Sequence, residues 1–176
     1  QRRIPQWTWS LIGHQAGLVE HALDVNLPDL PDLNGQKITI IGGGLTAAHL
    51  ARNAALKGAA VKMIARRPLQ IRDFDTEPGW LGPKYLSEYF AESDERRRIQ
   101  LARDARGGGS VPGWMRDHLK EATGTGTIEI LESMEVTSAQ IASTHGCTLE
   151  LISGETIYSD RVWLATGTQS NLQSMR

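Results

Sequence analysis

The chain has 176 residues, 19 Lys and Arg against 20 Asp and Glu, and a formal net charge of -1. That length fits one domain with room for a subdomain, and the balanced charge gives no electrostatic reason to expect nucleic acid or an acidic membrane as partner. There is no apolar run of membrane-spanning length, no signal-peptide core and only one cysteine, Cys147, so an internal disulfide and a redox C-x-x-C are excluded and a reducing cytoplasm is the expected compartment.

The first segment, Gln1 to Asp24, reads as aromatic and irregular, with Ile4, Trp7, Trp9 and Leu11 able to cover another surface. Leu27-Pro28-Asp29-Leu30-Pro31-Asp32-Leu33-Asn34-Gly35 is a proline-punctuated connector. Lys37 to Ile41 is a short isoleucine-rich run with little alternation, as expected of a strand buried on both faces. It meets Gly42-Gly43-Gly44-Leu45-Thr46-Ala47, a G-x-G-x-x-A spacing. Gly42 permits the tight turn, Gly44 lets a pyrophosphate approach the main chain, and Ala47 lets the helix press on the strand. The first helical residues, Leu45 and Thr46, offer unpaired N–H groups and a positive dipole end to an anion. The helix Leu45 to Lys57 is alanine-rich on its packing side, and Gly58 stands where a C-cap glycine belongs.

A second apolar strand, Ala60 to Ala65, completes a β-α-β unit and ends in Arg66-Arg67-Pro68. An NAD site carries Asp or Glu in this region to hold the ribose 2′-hydroxyl. Here two guanidiniums stand instead, and arginine grips phosphate through paired hydrogen bonds. The expected cofactor is therefore NADP(H), with Gly42, Gly43, Gly44, Leu45, Thr46, Arg66 and Arg67 as candidate binding residues.

A long excursion follows, with helices expected over Leu81 to Glu92, Glu95 to Arg106 and Trp114 to Thr123. Arg96-Arg97-Arg98 reads as a solvated helix face, and Gly107-Gly108-Gly109-Ser110 as a loop rather than a second phosphate site. Asp75 to Pro83 reads as a turn whose tryptophan packs inward, in preference to the lining of a site. The last third turns to strands: Thr127 to Glu132, Met134 to Gln140, then Leu149 to Ile152 and Glu155 to Tyr158 around the hairpin signal Ser153-Gly154. Asp160 to Gly167 gives a final buried strand and a small-residue turn. The five histidines, His14, His21, His49, His118 and His145, show no metal-ligand spacing, and no side chain is a convincing catalytic acid or base.

G-x-G-x-x-A at Gly42, D-x-x-x-L-A-T-G at Asp160 and G-x-x-x-H at Gly17 to His21 stand in an order that resembles the pyridine-nucleotide domain of two-dinucleotide-domain flavoproteins. Within them it looks closest to the flavin-dependent monooxygenases, including the lysine and ornithine N-hydroxylases. Gln15 and Val25 stand where that family's flanking aromatics would be, and Thr168 where the N-hydroxylases tend to place Tyr. The resemblance implies an α/β fold of the three-layer FAD/NAD(P)-binding type, a Rossmann-like parallel sheet with helices and a β-meander. It implies a connecting segment over residues 1–35 and an NAD(P)-binding domain over 36–176, with a helical insertion at about 69–123.

It also implies FAD in the intact parent, with Thr166 and Gly167 at the edge of the flavin site. No FAD fingerprint precedes Gly42 and the chain begins at Gln1, so we expect an excised domain or fragment whose partner is the missing FAD-binding domain, inactive alone and prone to self-association through its tryptophans. Three other functions stay open: a self-contained NADP-dependent reductase, although no Tyr has Lys four residues on; a non-catalytic dinucleotide-binding module; and a disulfide reductase with its cysteines in the missing FAD domain.

Overall fold

The computed structural model describes residues 1–12, 17–142 and 145–168; His14, Gln15 and everything after Thr168 lie outside them. Within these residues β1 (Val19–His21), β2 (Lys37–Ile41), α1 (Leu45–Leu56) and β3 (Ala60–Ala65) come first. Helices α2 (Pro83–Ala91), α3 (Glu95–Arg106) and α4 (Gly113–Gly124) follow. Strands β4 (Ile128–Glu132), β5 (Val136–Ile141), β6 (Cys147–Leu151), β7 (Thr156–Ser159) and β8 (Arg161–Leu164) close the order.

Five strands form one sheet in the order β1-β8-β2-β3-β4, and every neighbouring pair is parallel. Strands β5, β6 and β7 form a separate antiparallel sheet. The period-2 alternation of side chains places each apolar strand residue in one of two cores. Ile38, Ile40, Val61, Met63 and Trp163 pack against the alanines of α1 and against Met115 and Leu119 of α4. Ile64, Val162 and Leu164 point the other way and meet Cys147, Leu149, Leu151 and Ile157 of the antiparallel sheet. The result is three layers: helices, parallel sheet, antiparallel sheet. This is the α/β arrangement the sequence pattern predicts.

Two segments differ from their sequence reading. The N-terminal stretch is not irregular throughout. Val19–His21 pairs with β8 as an edge strand, and Leu11 and Leu18 bury fully in the second core. In the region 69–123, the chain pinches together at a stem where Val111 N–H donates to Gln70 O at 2.8 Å and Arg72 N–H to Val111 O at 3.1 Å. Helices α2 and α3, between the arms of that stem, bury no residue. Helix α4 lies beyond it and serves as the crossover that returns β3 to the parallel partner β4. Trp80 packs against Tyr85 and Tyr89 with ring centroids 5.7 and 6.2 Å apart. Leu81, 89% exposed, leaves the next residue of that turn in solvent.

At the N-terminal ends of β2 and β8, Asp160 acts as a clamp. Its carboxylate accepts hydrogen bonds from Lys37 N–H and from the Tyr158 hydroxyl, each at 2.7 Å, and faces His145 Nε2 at 2.9 Å. Burial pushes this carboxyl up, but the Lys37 N–H, the Tyr158 hydroxyl and His145 together outweigh it and hold the group below its ordinary value. The clamp sits at the opposite end of the sheet from the glycine loop.

Candidate dinucleotide site

The C-terminal ends of β2, β3 and β8 converge on Gly42, Gly43 and Gly44. Each glycine meets a different neighbour. A Cβ at Gly42, whose φ is +149°, would lie 2.6 Å from the Ala165 carbonyl oxygen. Ala165 begins the turn after β8, so the two halves of the sequence pattern are in direct contact. A Cβ at Gly43 would lie 3.0 Å from Ala65 Cβ and 3.3 Å from Leu69 Cδ2. One at Gly44 would lie 3.2 Å from the Cα of Gly109.

Helix α1 starts directly behind this loop. Gly44 is its N-cap, no side chain caps it, and no acidic residue sits in its first turn. The N-terminal dipole of α1 is thus left for an anion. Leu45 and Thr46 form that first turn. Ala47, Ala48 and Ala51 are fully buried and let the helix lie close on the sheet.

Arg66 and Arg67 follow β3 and are both exposed. No carboxylate ion-pairs with either among the described residues. The Arg67 guanidinium lies against the Gly107–Ser110 loop, with its Cζ 3.0 Å from where a Cβ at Gly108 would be, and Arg72 Nη1 lies 3.4 Å from the corresponding position at Gly107. The sequence reading took Gly107–Ser110 as a loop but placed neither it nor Arg72 beside the glycine turn. The only signal available was the glycine run itself, with nothing local to say what it touches.

Thr166 and Gly167 sit at the end of β8, away from Arg66 and Arg67, on the side where β1 forms the sheet edge. Thr166 Oγ1 donates to the Arg3 carbonyl, Arg3 N–H donates to Gly167 O at 3.1 Å, and His21 Nε2 lies 3.1 Å from the same oxygen. The G-x-x-x-H histidine and the A-T-G turn are therefore partners in space. Beside them a groove of about 260 Å³ is lined by Arg2, Ile4, Ile12, Glu20 and His21, among others. Trp9, 66% exposed, lies on the same N-terminal segment, whereas Trp7 packs partly into the second core. No helix among the described residues is long and apolar enough to cross a membrane.

The residues present suit a dinucleotide: a glycine loop, an uncapped helix N-terminus and two arginines in place of an acid. In this arrangement Gly109 fills the open side of Gly44, so a diphosphate there requires that loop to move.

No protein-family model and no curated protein matches the chain. Solved structures do. Ornithine hydroxylase from Pseudomonas aeruginosa is 25% identical, with a TM-score of 0.73, over 97% of this chain and 44% of that one. The cadaverine monooxygenase of desferrioxamine biosynthesis from Erwinia amylovora, solved bound to FAD, is 15% identical with a TM-score of 0.69 over 96% and 43%. An ornithine N-hydroxylase from Kutzneria sp. 744, solved with reduced FAD, NADP+ and L-ornithine, is 17% identical with a TM-score of 0.64 over 87% and 41%. Over nearly its whole length the chain resembles one portion of the flavin-dependent N-hydroxylases, and it spans less than half the length of these relatives.

Proposed function

We propose that the chain is the NADP(H)-binding portion of a flavin-dependent, monooxygenase-like oxidoreductase. The observation that carries this reading is the composition of one sheet end. An uncapped helix N-terminus stands behind Gly42–Gly44, and Arg66-Arg67 follow β3 where an NAD site would hold an acid. NADPH, when bound, supplies a hydride, and a flavin held by residues outside this chain is its acceptor. The protein's own work is then binding and orientation: backbone N–H groups of Leu45 and Thr46 for the diphosphate, Arg66 and Arg67 for the 2′-phosphate. The His21–Gly167 corner, with Ile4, Ile12 and Trp9 beside it, is the face we assign to the flavin-binding portion. The likeness to N-hydroxylases supports the flavin partner.

Calorimetry of the chain with NADPH and NADH tests the reading. A charge-assisted hydrogen bond contributes about 1.5–3 kcal/mol. Both arginines are exposed, which places the effect at the lower end, so NADPH should bind about tenfold tighter than NADH. The double variant Arg66→Ala/Arg67→Ala should bind both alike. Equal affinities in the unmodified chain would refute the NADP(H) assignment.

A further inference from the structure

The Gly107–Ser110 loop occupies the volume that a nucleotide diphosphate needs. The contact with Gly44 is backbone against backbone, since a Cβ at Gly109 would lie 3.0 Å from Gly44 Cα and one at Gly44 would lie 3.2 Å from Gly109 Cα. The side of Gly44 left open by its missing Cβ is therefore already filled. A diphosphate approaching the first turn of α1 from that side competes with Gly109 for the same space.

The loop is built to be held and released. At one end Gly107 caps α3 in the left-handed region, with its N–H donating to Arg103 O at 3.2 Å. At the other end Val111 is fully buried and pinned to Gln70 and Arg72. Between these anchors lie two glycines and Ser110. Both the N–H and the hydroxyl of Ser110 donate to one atom, Asp75 Oδ1, each at 2.8 Å. Asp75 comes from the other arm of the excursion, 35 residues away in sequence. The Arg67 guanidinium rests on the same loop at Gly108.

We propose that the Gly107–Ser110 loop is a gate on the dinucleotide site, latched by Asp75, and that nucleotide binding displaces Gly109 from Gly44. The inference rests on the proposed function and adds its regulation. The same displacement releases Arg67 from Gly108, so the diphosphate and the 2′-phosphate favour one open state together. Asp75 is a positioning residue: it touches the loop, not the nucleotide. The apparent dissociation constant is the intrinsic one divided by the fraction of open molecules. Changes that open the gate must therefore tighten binding, which is the opposite of what loss of a binding residue does.

Calorimetry with NADPH on the full chain, with folding checked by circular dichroism, decides the matter. Gly109→Ala cannot keep the contact with Gly44 and should bind NADPH about tenfold more tightly. Asp75→Ala removes the acceptor of both latch bonds and should shift the same way. Asp75→Asn loses the charge but keeps an acceptor oxygen, so its affinity should stay near that of the unmodified chain; this separates the latch from a change in local charge. Gly44→Ala also pushes the loop away but puts a methyl group in the diphosphate's place, and should lose binding. Unchanged or weaker binding by folded Gly109→Ala or Asp75→Ala would overturn the gate while leaving the nucleotide site standing. Tightening by Asp75→Asn equal to that of Asp75→Ala would overturn the latch. Absence of NADPH binding in every form would remove the site itself, and the gate with it.

Discussion

Gly42 is the residue at which the two ends of the sequence pattern meet, and replacing it with alanine puts a number on that contact. Its φ of +149° lies in a region that only glycine visits readily. Holding alanine there costs about 1–3 kcal/mol. The new Cβ would also stand 2.6 Å from the Ala165 carbonyl oxygen, which belongs to backbone and cannot rotate away. Ala165 must shift, and its N–H donates to Ile41 O at 2.9 Å, so the last β2–β8 hydrogen bond weakens, at about 1 kcal/mol. The sum is about 2–4 kcal/mol, a large part of a stability of about 5–15 kcal/mol. With a urea slope of about 2 kcal/mol per molar, the unfolding midpoint should fall by about 1–2 M. The control is Gly124→Ala at the end of α4, where φ is not in the left-handed region and nothing lies within 4 Å of a Cβ. It should stabilise by about 0.5 kcal/mol. Coincident midpoints for Gly42→Ala and the unmodified chain would refute the claim that the Ala165 turn presses on the glycine loop.

The clamp at the far end of the sheet gives a pH signature. Asp160 is held below its ordinary value, so it adds stability that is complete above that value and is lost as pH falls through the folded one. Asp160→Asn should lower the urea midpoint at pH 7, and the gap should start to narrow below about pH 4 and close as the folded carboxyl protonates; a gap that does not change with pH would count against the clamp. Cys147 is fully buried in the second core, and burial, with Asp160 adding to it, pushes its thiol up to about 11. A thiol reagent at pH 8 should leave the native chain unlabelled and label it at once in denaturing urea, and rapid native labelling would show that the second core opens.

The β2–α1–β3 unit was legible almost to the residue because every signal in it is local. An isoleucine run, three glycines, an alanine-faced helix and a capping glycine follow one another within thirty residues, so no distant partner is needed to interpret them. Strand β1 was not legible for the converse reason. Val19-Glu20-His21 is three residues long, and its partner Val162-Trp163-Leu164 lies at the other end of the chain. The role of α4 was hidden in the same way: its periodicity predicts a helix, but only contact with α1 and the return into β4 make it the crossover. At the site, Arg66 and Arg67 are adjacent in sequence and look like one pair. What no spacing rule anticipates is that Arg67 lies against a loop forty residues downstream.

The three glycines do not carry equal weight as evidence for a ligand. Gly42 is required by Ala165 and Gly43 by Ala65 and Leu69, so the fold alone accounts for both, whatever binds. Gly44 differs. Its neighbour is Gly109, a residue between two anchors whose contact is backbone only and whose latch is a single carboxylate. The close approach of the two backbones accounts for both glycines in this arrangement, in front of a helix end that no side chain caps. What sets Gly44 apart is the kind of neighbour it has: Gly42 and Gly43 press on the sheet and the turns that leave it, Gly44 on a loop. Gly44 is therefore the glycine at which a ligand can compete with its neighbour without breaking the sheet.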